Sequence, residues 1–412
     1  MTVARRMRFA SLAGMVGTLV WAFVVGVSLA QAQATASFPG DPIEGRRAFL
    51  ERDCARCHSI WGNGGRLGPD FALVGAGRSL HQLAGMFWNH TPRMIETVRD
   101  RGLDWPQFTE DELANLISYI YYVKLFDEPG DPDLGERWFQ EKHCRECHSV
   151  GGNGGRIGGT LDDYARYRAP IALAQGMWND GPTMQAAQAR QGVALPTFLG
   201  REIADIQAFI RRESSLQPRE IELLTPPDPN RGQRLFAAKA CARCHGPAGR
   251  GTVFGPDLRT ATQRLRVSEI AGTLWNHSSR MMSAMQARGV AFPQFAGAEM
   301  ADVIAFLYYL RFYDLEGNAE TGEQLFVTKG CVTCHSRDGS ETTGPDLSRS
   351  SAVLTPLGLA TAMWDHAPAM YDRALLQRMD WPLFEGDEMR DLALYLRRLA
   401  RSSIDTGGGN RP

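Results

Sequence analysis

Cys54-Ala55-Arg56-Cys57-His58 recurs as Cys144-Arg145-Glu146-Cys147-His148, Cys241-Ala242-Arg243-Cys244-His245 and Cys331-Val332-Thr333-Cys334-His335, and the four copies use all 8 cysteines of the chain. Two cysteines three apart can form thioethers to the two vinyl groups on one edge of a haem. The adjoining histidine then sits beneath the iron. Zinc would need two such pairs, or one pair with two more histidines, at fixed spacing. Each copy here is instead followed by a long stretch without another cysteine. A thioredoxin-like pair belongs in a βαβ context, and nothing nearby reads as a strand. The motif therefore implies four covalently attached haem c groups. Their thioethers fall at Cys54, Cys57, Cys144, Cys147, Cys241, Cys244, Cys331 and Cys334, and their proximal iron ligands are His58, His148, His245 and His335.

The spacing of the copies is regular. Cys54 and Cys241 are 187 residues apart, as are Cys144 and Cys331, and within each half the motifs are 90 apart. A two-haem unit has been duplicated. The 412 residues divide into a leader over 1–34, repeats over 41–127, 131–216, 230–315 and 318–400, a proline-rich linker over 217–229 and a tail over 401–412. Each repeat opens with a glycine and an aromatic four residues on: Gly45/Phe49, Gly135/Phe139, Gly232/Phe236 and Gly322/Phe326. An i, i+4 pair shares one helix face, so the glycine would let a second helix cross closely. Each repeat closes with an amphipathic helix, expected over 111–126, 202–212, 299–312 and 388–399, which carries Tyr119, Phe209, Phe306 or Tyr395 at an equivalent place. The expected fold is all-α, with terminal helices crossing over a central haem in each repeat.

Composition is that of a globular protein, with 22% charged and 43% hydrophobic residues and a formal net charge of -1. Neither the mild charge nor any basic tract suggests nucleic acid. The start has the order of a secretory signal: Arg5, Arg6 and Arg8, an apolar run from Phe9 to Leu29, then Ala30-Gln31-Ala32-Gln33-Ala34. Cleavage after Ala32 or Ala34 is expected. The alternative is a retained anchor, since the run is nearly long enough to span a bilayer. No later segment reads as a span.

Each repeat resembles a class I c-type cytochrome domain, and the four together cover nearly all of the chain after the leader. The Gly-Pro-x-Leu loop of that family is matched by Gly68-Pro69-Asp70-Phe71, Gly255-Pro256-Asp257-Leu258 and Gly344-Pro345-Asp346-Leu347. The resemblance implies that the proline carbonyl accepts a hydrogen bond from the proximal histidine, fixing the ring and raising its basicity. Repeat 2 departs, with Gly158-Gly159-Thr160-Leu161, which implies a looser support for its histidine.

The family usually supplies the sixth iron ligand from a Met-Pro-x-Phe loop before the last helix. Here that slot reads Trp105-Pro106-Gln107-Phe108, Leu195-Pro196-Thr197-Phe198, Phe292-Pro293-Gln294-Phe295 and Trp381-Pro382-Leu383-Phe384. None of its first residues can bind iron. A second element also recurs: Trp88-Asn89-His90-Thr91-Pro92-Arg93-Met94, Trp178-Asn179-Asp180-Gly181-Pro182-Thr183-Met184, Trp275-Asn276-His277-Ser278-Ser279-Arg280-Met281 and Trp364-Asp365-His366-Ala367-Pro368-Ala369-Met370. The prolines suit a first helical turn, so each methionine is expected just inside a new helix. Met94, Met184, Met281 and Met370 are the expected distal ligands, since a thioether suits a low-spin haem iron and raises its potential. The rival set is His90, His277 and His366, which has no counterpart in repeat 2, where Asp180 stands. The preferred role for those histidines is capping the new helix or bonding near a propionate. Trp88, Trp178, Trp275 and Trp364 are expected to pack on the haem ring or bond a propionate through the indole N–H.

Four saturated haems imply an electron carrier rather than an enzyme, which needs an open distal position. The expected function is exported, periplasmic electron transfer between redox proteins, with neither donor nor acceptor identified by the sequence. Two alternatives stay open: an enzyme with an accessible haem in repeat 2, and a cytochrome subunit of a membrane-anchored oxidoreductase complex.

Overall fold

The computed structural model describes residues 40–73, 79–124, 130–167, 169–214, 216, 226–262, 265–310 and 317–407. The leader over 1–34 and the greater part of the 217–229 linker lie outside them. Among the described residues, no helix is long and apolar enough to cross a membrane.

The fold is all-α and repetitive. Each repeat has an opening helix, the cysteine motif, a long helix and a closing helix. In repeat 1 these are α1 (Pro42–Glu51), α2 (Leu80–Asp100) and α3 (Glu110–Val123). In repeat 2 they are α4 (Pro132–Glu141), α5 (Ile171–Gln191) and α6 (Glu202–Glu213). Repeat 3 has α7 (Pro229–Ala238), α8 (Val267–Gln286) and α9 (Glu299–Tyr309), and repeat 4 has α10 (Ala319–Thr328), α11 (Pro356–Leu376) and α12 (Glu388–Gly407). The only strands among the described residues are two-residue antiparallel pairs after the first two motifs, Ser59–Ile60 with Asn63–Gly64 and Ser149–Val150 with Asn153–Gly154. They turn the chain back along the motif.

The crossing expected from the glycines is present in every repeat. A Cβ on Gly45 would lie 1.9 Å from the carbonyl oxygen of Asn115 in α3. The corresponding distances are 2.0 Å from Gly135 to Asp205, 2.0 Å from Gly232 to Asp302 and 2.1 Å from Gly322 to Asp391. Only glycine permits so close an approach. Beside each crossing the paired rings meet, with centroids 5.8 Å apart for Phe49 and Tyr119, 5.3 Å for Phe139 and Phe209, 5.3 Å for Phe236 and Phe306, and 5.7 Å for Phe326 and Tyr395. The N-cap residue of the opening helix adds a bond across the crossing. The backbone N–H groups of Asp41, Asp131, Asp228 and Asn318 donate to Asn115, Asp205, Asp302 and Asp391 at 2.7, 2.9, 2.8 and 3.0 Å. Those N–H groups would otherwise be orphaned at a helix start.

The long helices correct one expectation. Pro92, Pro182 and Pro368 do not begin new helices but lie inside continuous helices of 21 residues. Met94, Met184 and Met370 are consequently mid-helix. A proline in a helix interior frees the carbonyl four residues earlier and costs about 3 kcal/mol. Here the freed carbonyls are those of the tryptophans. In repeats 1 and 4 each is taken by an indole from the other repeat: Trp381 Nε1 donates to the Trp88 carbonyl at 3.1 Å, and Trp105 Nε1 donates to the Trp364 carbonyl at 3.1 Å.

Packing between repeats therefore crosses the two halves of the chain. Helices α2 and α3 pack on α11, and α2 packs on α12, joining repeat 1 to repeat 4; α5 and α6 pack on α8, and α5 on α9, joining repeat 2 to repeat 3. Arg99 forms a two-pronged ion pair with Asp372, 2.8 Å at each prong. Repeats 1 and 3 meet through buried tyrosines of α3 and α9. The Tyr121 ring lies 5.6 Å from that of Tyr309, whose hydroxyl donates to the Ser118 carbonyl at 3.3 Å.

The crossing sets a first expected outcome. Gly45→Ala should lower stability by about 1–3 kcal/mol, the usual cost of forcing atoms into a packed contact, seen as a lower thermal midpoint of the holoprotein. A glycine with nothing near its Cβ position offers a control: Gly102→Ala meets no atom within 4 Å, although its φ of 62° carries a smaller conformational cost.

Candidate haem sites

The four motif histidines are each tied to a loop carbonyl. His58 Nδ1 donates to the Pro69 carbonyl at 3.0 Å, His245 Nδ1 to Pro256 at 3.2 Å and His335 Nδ1 to Pro345 at 3.1 Å. Repeat 2 makes the same bond without the proline, from His148 Nδ1 to the Gly159 carbonyl, at 3.3 Å the longest of the four. Gly159 has φ +75°, so its carbonyl is presented by a left-handed backbone that proline could not adopt. The bond fixes the ring and leaves Nε2 as the nitrogen available to a metal. Burial lowers the His58 pKa from its ordinary value, the Pro69 carbonyl opposes that shift, and nearby His90 adds to it. A neutral imidazole is the metal-binding form.

The loop glycine before that carbonyl is dictated by space. A Cβ on Gly68 would lie 2.3 Å from the His58 ring and one on Gly158 2.4 Å from that of His148. On Gly255 and Gly344 it would come within 2.9 Å of His245 and 2.8 Å of the Cys334 carbonyl and the His335 ring. The first cysteine of each motif is turned inward, and burial pushes the thiols of Cys54, Cys144, Cys241 and Cys331 up to about 11. A neutral sulfur, as in a thioether, suits that burial. All eight cysteines are free of disulfides. In repeat 1 the motif opens into a cavity of about 780 Å³, within the range of about 300–1,000 Å³ for sites that enclose a cofactor. Cys54, Cys57, His58, Met86, His90 and Met94 all line it. These residues fit a haem held by two thioethers and a histidine.

Met370 and Cys331 each pack against the core cluster of repeat 4, and Met184 and Met281 are half-buried at the equivalent helical positions. His90, His277 and His366 do not cap helices. Each bonds back along its own helix, His90 Nδ1 to the Met86 carbonyl at 2.7 Å, His277 Nδ1 to Thr273 at 2.8 Å and His366 Nδ1 to Ala362 at 2.9 Å.

The tryptophan N–H groups are engaged elsewhere than at a propionate. Their indole N–H groups reach the proline carbonyl of the x-Pro-x-Phe loop in another repeat: Trp88 to Pro382 at 2.7 Å, Trp364 to Pro106 at 2.6 Å, Trp178 to Pro293 at 2.8 Å and Trp275 to Pro196 at 2.7 Å. Spent there, these donors do not serve a propionate. The next residue completes the contact. Asn89 bonds both the N–H and the carbonyl of Phe384, at 2.8 Å each, and Asn179 and Asn276 do the same to Phe295 and Phe198. Asp365 only accepts, from the Phe108 N–H at 3.1 Å. The x-Pro-x-Phe loop is thus the receptor of an interdomain clasp. Its other side is tied within its own repeat by the basic residue two before the first cysteine. Lys142, Lys239 and Lys329 donate to the carbonyls of Thr197, Gln294 and Leu383 at 2.7, 2.6 and 2.6 Å and pair with Glu202, Glu299 and Glu388. In repeat 1, Arg52 pairs with Glu112. Sequence reasoning passed over these residues, although the basic residue recurs in register four times and the asparagine three times.

Asp365→Asn should give the clasp of repeat 4 on the repeat 1 loop the amide donor the other three clasps have, raising stability by about 0.5–1.5 kcal/mol, the net worth of one hydrogen bond. Burial also holds the Asp365 carboxyl above the usual carboxylate range. A thermal midpoint unchanged or lowered would contradict this.

A family model described as cytochrome c matches residues 43–124, 229–311 and 319–400, that is, repeats 1, 3 and 4. No curated protein and no solved structure matches the chain. With covalent haem c implied by the family and haem-based electron transfer its function, the chain belongs to the cytochrome c family, as a protein of several such domains.

Proposed function

We propose that the protein is an exported tetrahaem cytochrome, with one haem in each repeat, that carries electrons between redox protein partners in the periplasm. The observation that supports four haems is the recurrence in repeat 2 of the whole proximal arrangement: Cys144, Cys147, and His148 bonded to a loop carbonyl over the same eleven-residue separation as His58. The leader order of Arg5, Arg6, Arg8 and the alanine-rich exit supports export. Bound haem supplies a one-electron couple. The two motif cysteines would hold it by thioethers, and the loop carbonyl orients the imidazole that would face the iron.

Met94, Met184, Met281 and Met370 are proposed as distal ligands. They occupy one position in all four repeats, and Met94 shares the cavity of His58. Histidine ligation is the second reading for repeat 1. His90 lines the same cavity, and its bond to the Met86 carbonyl commits Nδ1 and leaves Nε2 for a metal. The two readings separate by substitution. Met94→Ala is expected to convert one haem of four to a high-spin ferric spectrum that binds cyanide, with His90→Ala remaining low-spin. A low-spin Met94→Ala variant with a high-spin His90→Ala variant would reverse the assignment. In the wild-type protein, neither carbon monoxide nor cyanide should bind readily; ready binding would favour an enzyme with an open haem.

A further inference from the structure

The clasps do more than hold repeats together, because they build the haem surroundings from two repeats at once. The cavity that contains Cys54, Cys57 and His58 is also lined by Trp364, Phe384, Gly386 and Met389 of repeat 4. Conversely, the cluster of repeat 4 on which Cys331 and Met370 pack includes Trp88 of repeat 1. Between these two sites stand two stacked indole pairs, Trp88 on Trp381 at 4.2 Å and Trp105 on Trp364 at 4.6 Å. Repeats 2 and 3 have the same construction in weaker form. Trp178 stacks on Phe292 at 4.6 Å, but the slot facing Trp275 holds Leu195. No comparable helix packing joins repeat 1 to 2 or repeat 3 to 4 among the described residues.

We propose that the tryptophan clasps set the electron-exchange partners, pairing the site of repeat 1 with that of repeat 4 and the site of repeat 2 with that of repeat 3. The tyrosine contact of Tyr121 and Tyr309 then links the pairs, so the order through the molecule is 2–3–1–4 and not the order of the chain. This rests on the electron-transfer reading above. In each exchange one electron leaves a ferrous haem and reduces its ferric partner, with no proton moved and no bond broken. The slot residue and the helix proline act together in the stronger pair. Trp105 and Trp381 each bond a carbonyl that Pro368 or Pro92 has freed, whereas Phe292 has no N–H for the carbonyl freed by Pro182, and Leu195 faces a helix with Ser279 in place of proline.

The test uses the full-length holoprotein, photoreduced with less than one electron per chain by a flavin, while redistribution among the haems is followed optically. The double variant Trp105→Leu/Trp381→Leu should lose the fast redistribution phase assigned to the 1–4 pair, at unchanged haem content. Lengthening the segment between Lys124 and Gly130 with glycine and serine should leave that phase intact. A fast phase that survives the double variant, or that disappears on lengthening the segment, overturns the proposal. Should the double variant fail to fold, Arg99→Lys treated with carbodiimide decides the pairing: a cross-link to Asp372 supports it, and cross-links confined to repeat 2 overturn it. A protein whose haems do not accept electrons from the flavin at all would instead contradict the electron-carrier reading.

Discussion

An indole N–H donated to a proline carbonyl of another repeat is the contact on which the arrangement of this molecule depends. It occurs four times, always from the same position of a long helix to the same position of an x-Pro-x-Phe loop. Each such bond contributes on the order of 1 kcal/mol net, too little to organise a chain alone. The adjoining asparagine adds two bonds in three of the clasps, and ring stacking adds about 0.5–1.5 kcal/mol beyond burial where the partner is aromatic. Together these make the loop a docking element. In three of the four loops the slot side chain stacks on the tryptophan of the neighbour, and there docking and ligation from the same residue would exclude one another.

That exclusion ties the unusual features of the chain together. With the loop committed to the neighbour, the proposed distal ligand comes from the long helix, which in repeat 1 lines the cavity of His58. The prolines inside α2 and α11 would normally be a defect. In repeats 1 and 4 the carbonyls they free become acceptors for Trp381 and Trp105, which offsets part of the helix penalty. The same helix thus lines a haem cavity on one face and grips another repeat on the other.

Much of each repeat was legible in the chain. The cysteine motif, the glycine-aromatic pair and the closing aromatic are local and recur four times, and each reports a contact inside one repeat. Gly45 against Asn115 and His58 against Pro69 follow from such signals. The clasp was not legible, because its partners lie far apart in sequence; Trp88 and Pro382 are separated by 294 residues. Lacking that partner, Trp88 reads as a haem neighbour and Pro92 as a helix start. One trace of the pairing was present nonetheless: the two repeats with tryptophan in the slot, 1 and 4, are clasped to each other, and both carry the helix proline. The duplicated halves pointed the other way, since they record how the chain grew and not how its repeats pack.

Repeat 2 bears the greatest strain on a reading of four equivalent sites. It lies outside the family match, replaces the loop proline with Gly159 and has Asp180 where the others have histidine. Its crossing, ring pair, basic tie and histidine bond are nonetheless those of its neighbours. Intact-mass and peptide mass spectrometry of the mature protein tests the point most directly. Four haem additions are predicted, with one on the peptide containing Cys144 and Cys147. Three additions, with those two cysteines recovered as free thiols, would contradict the account.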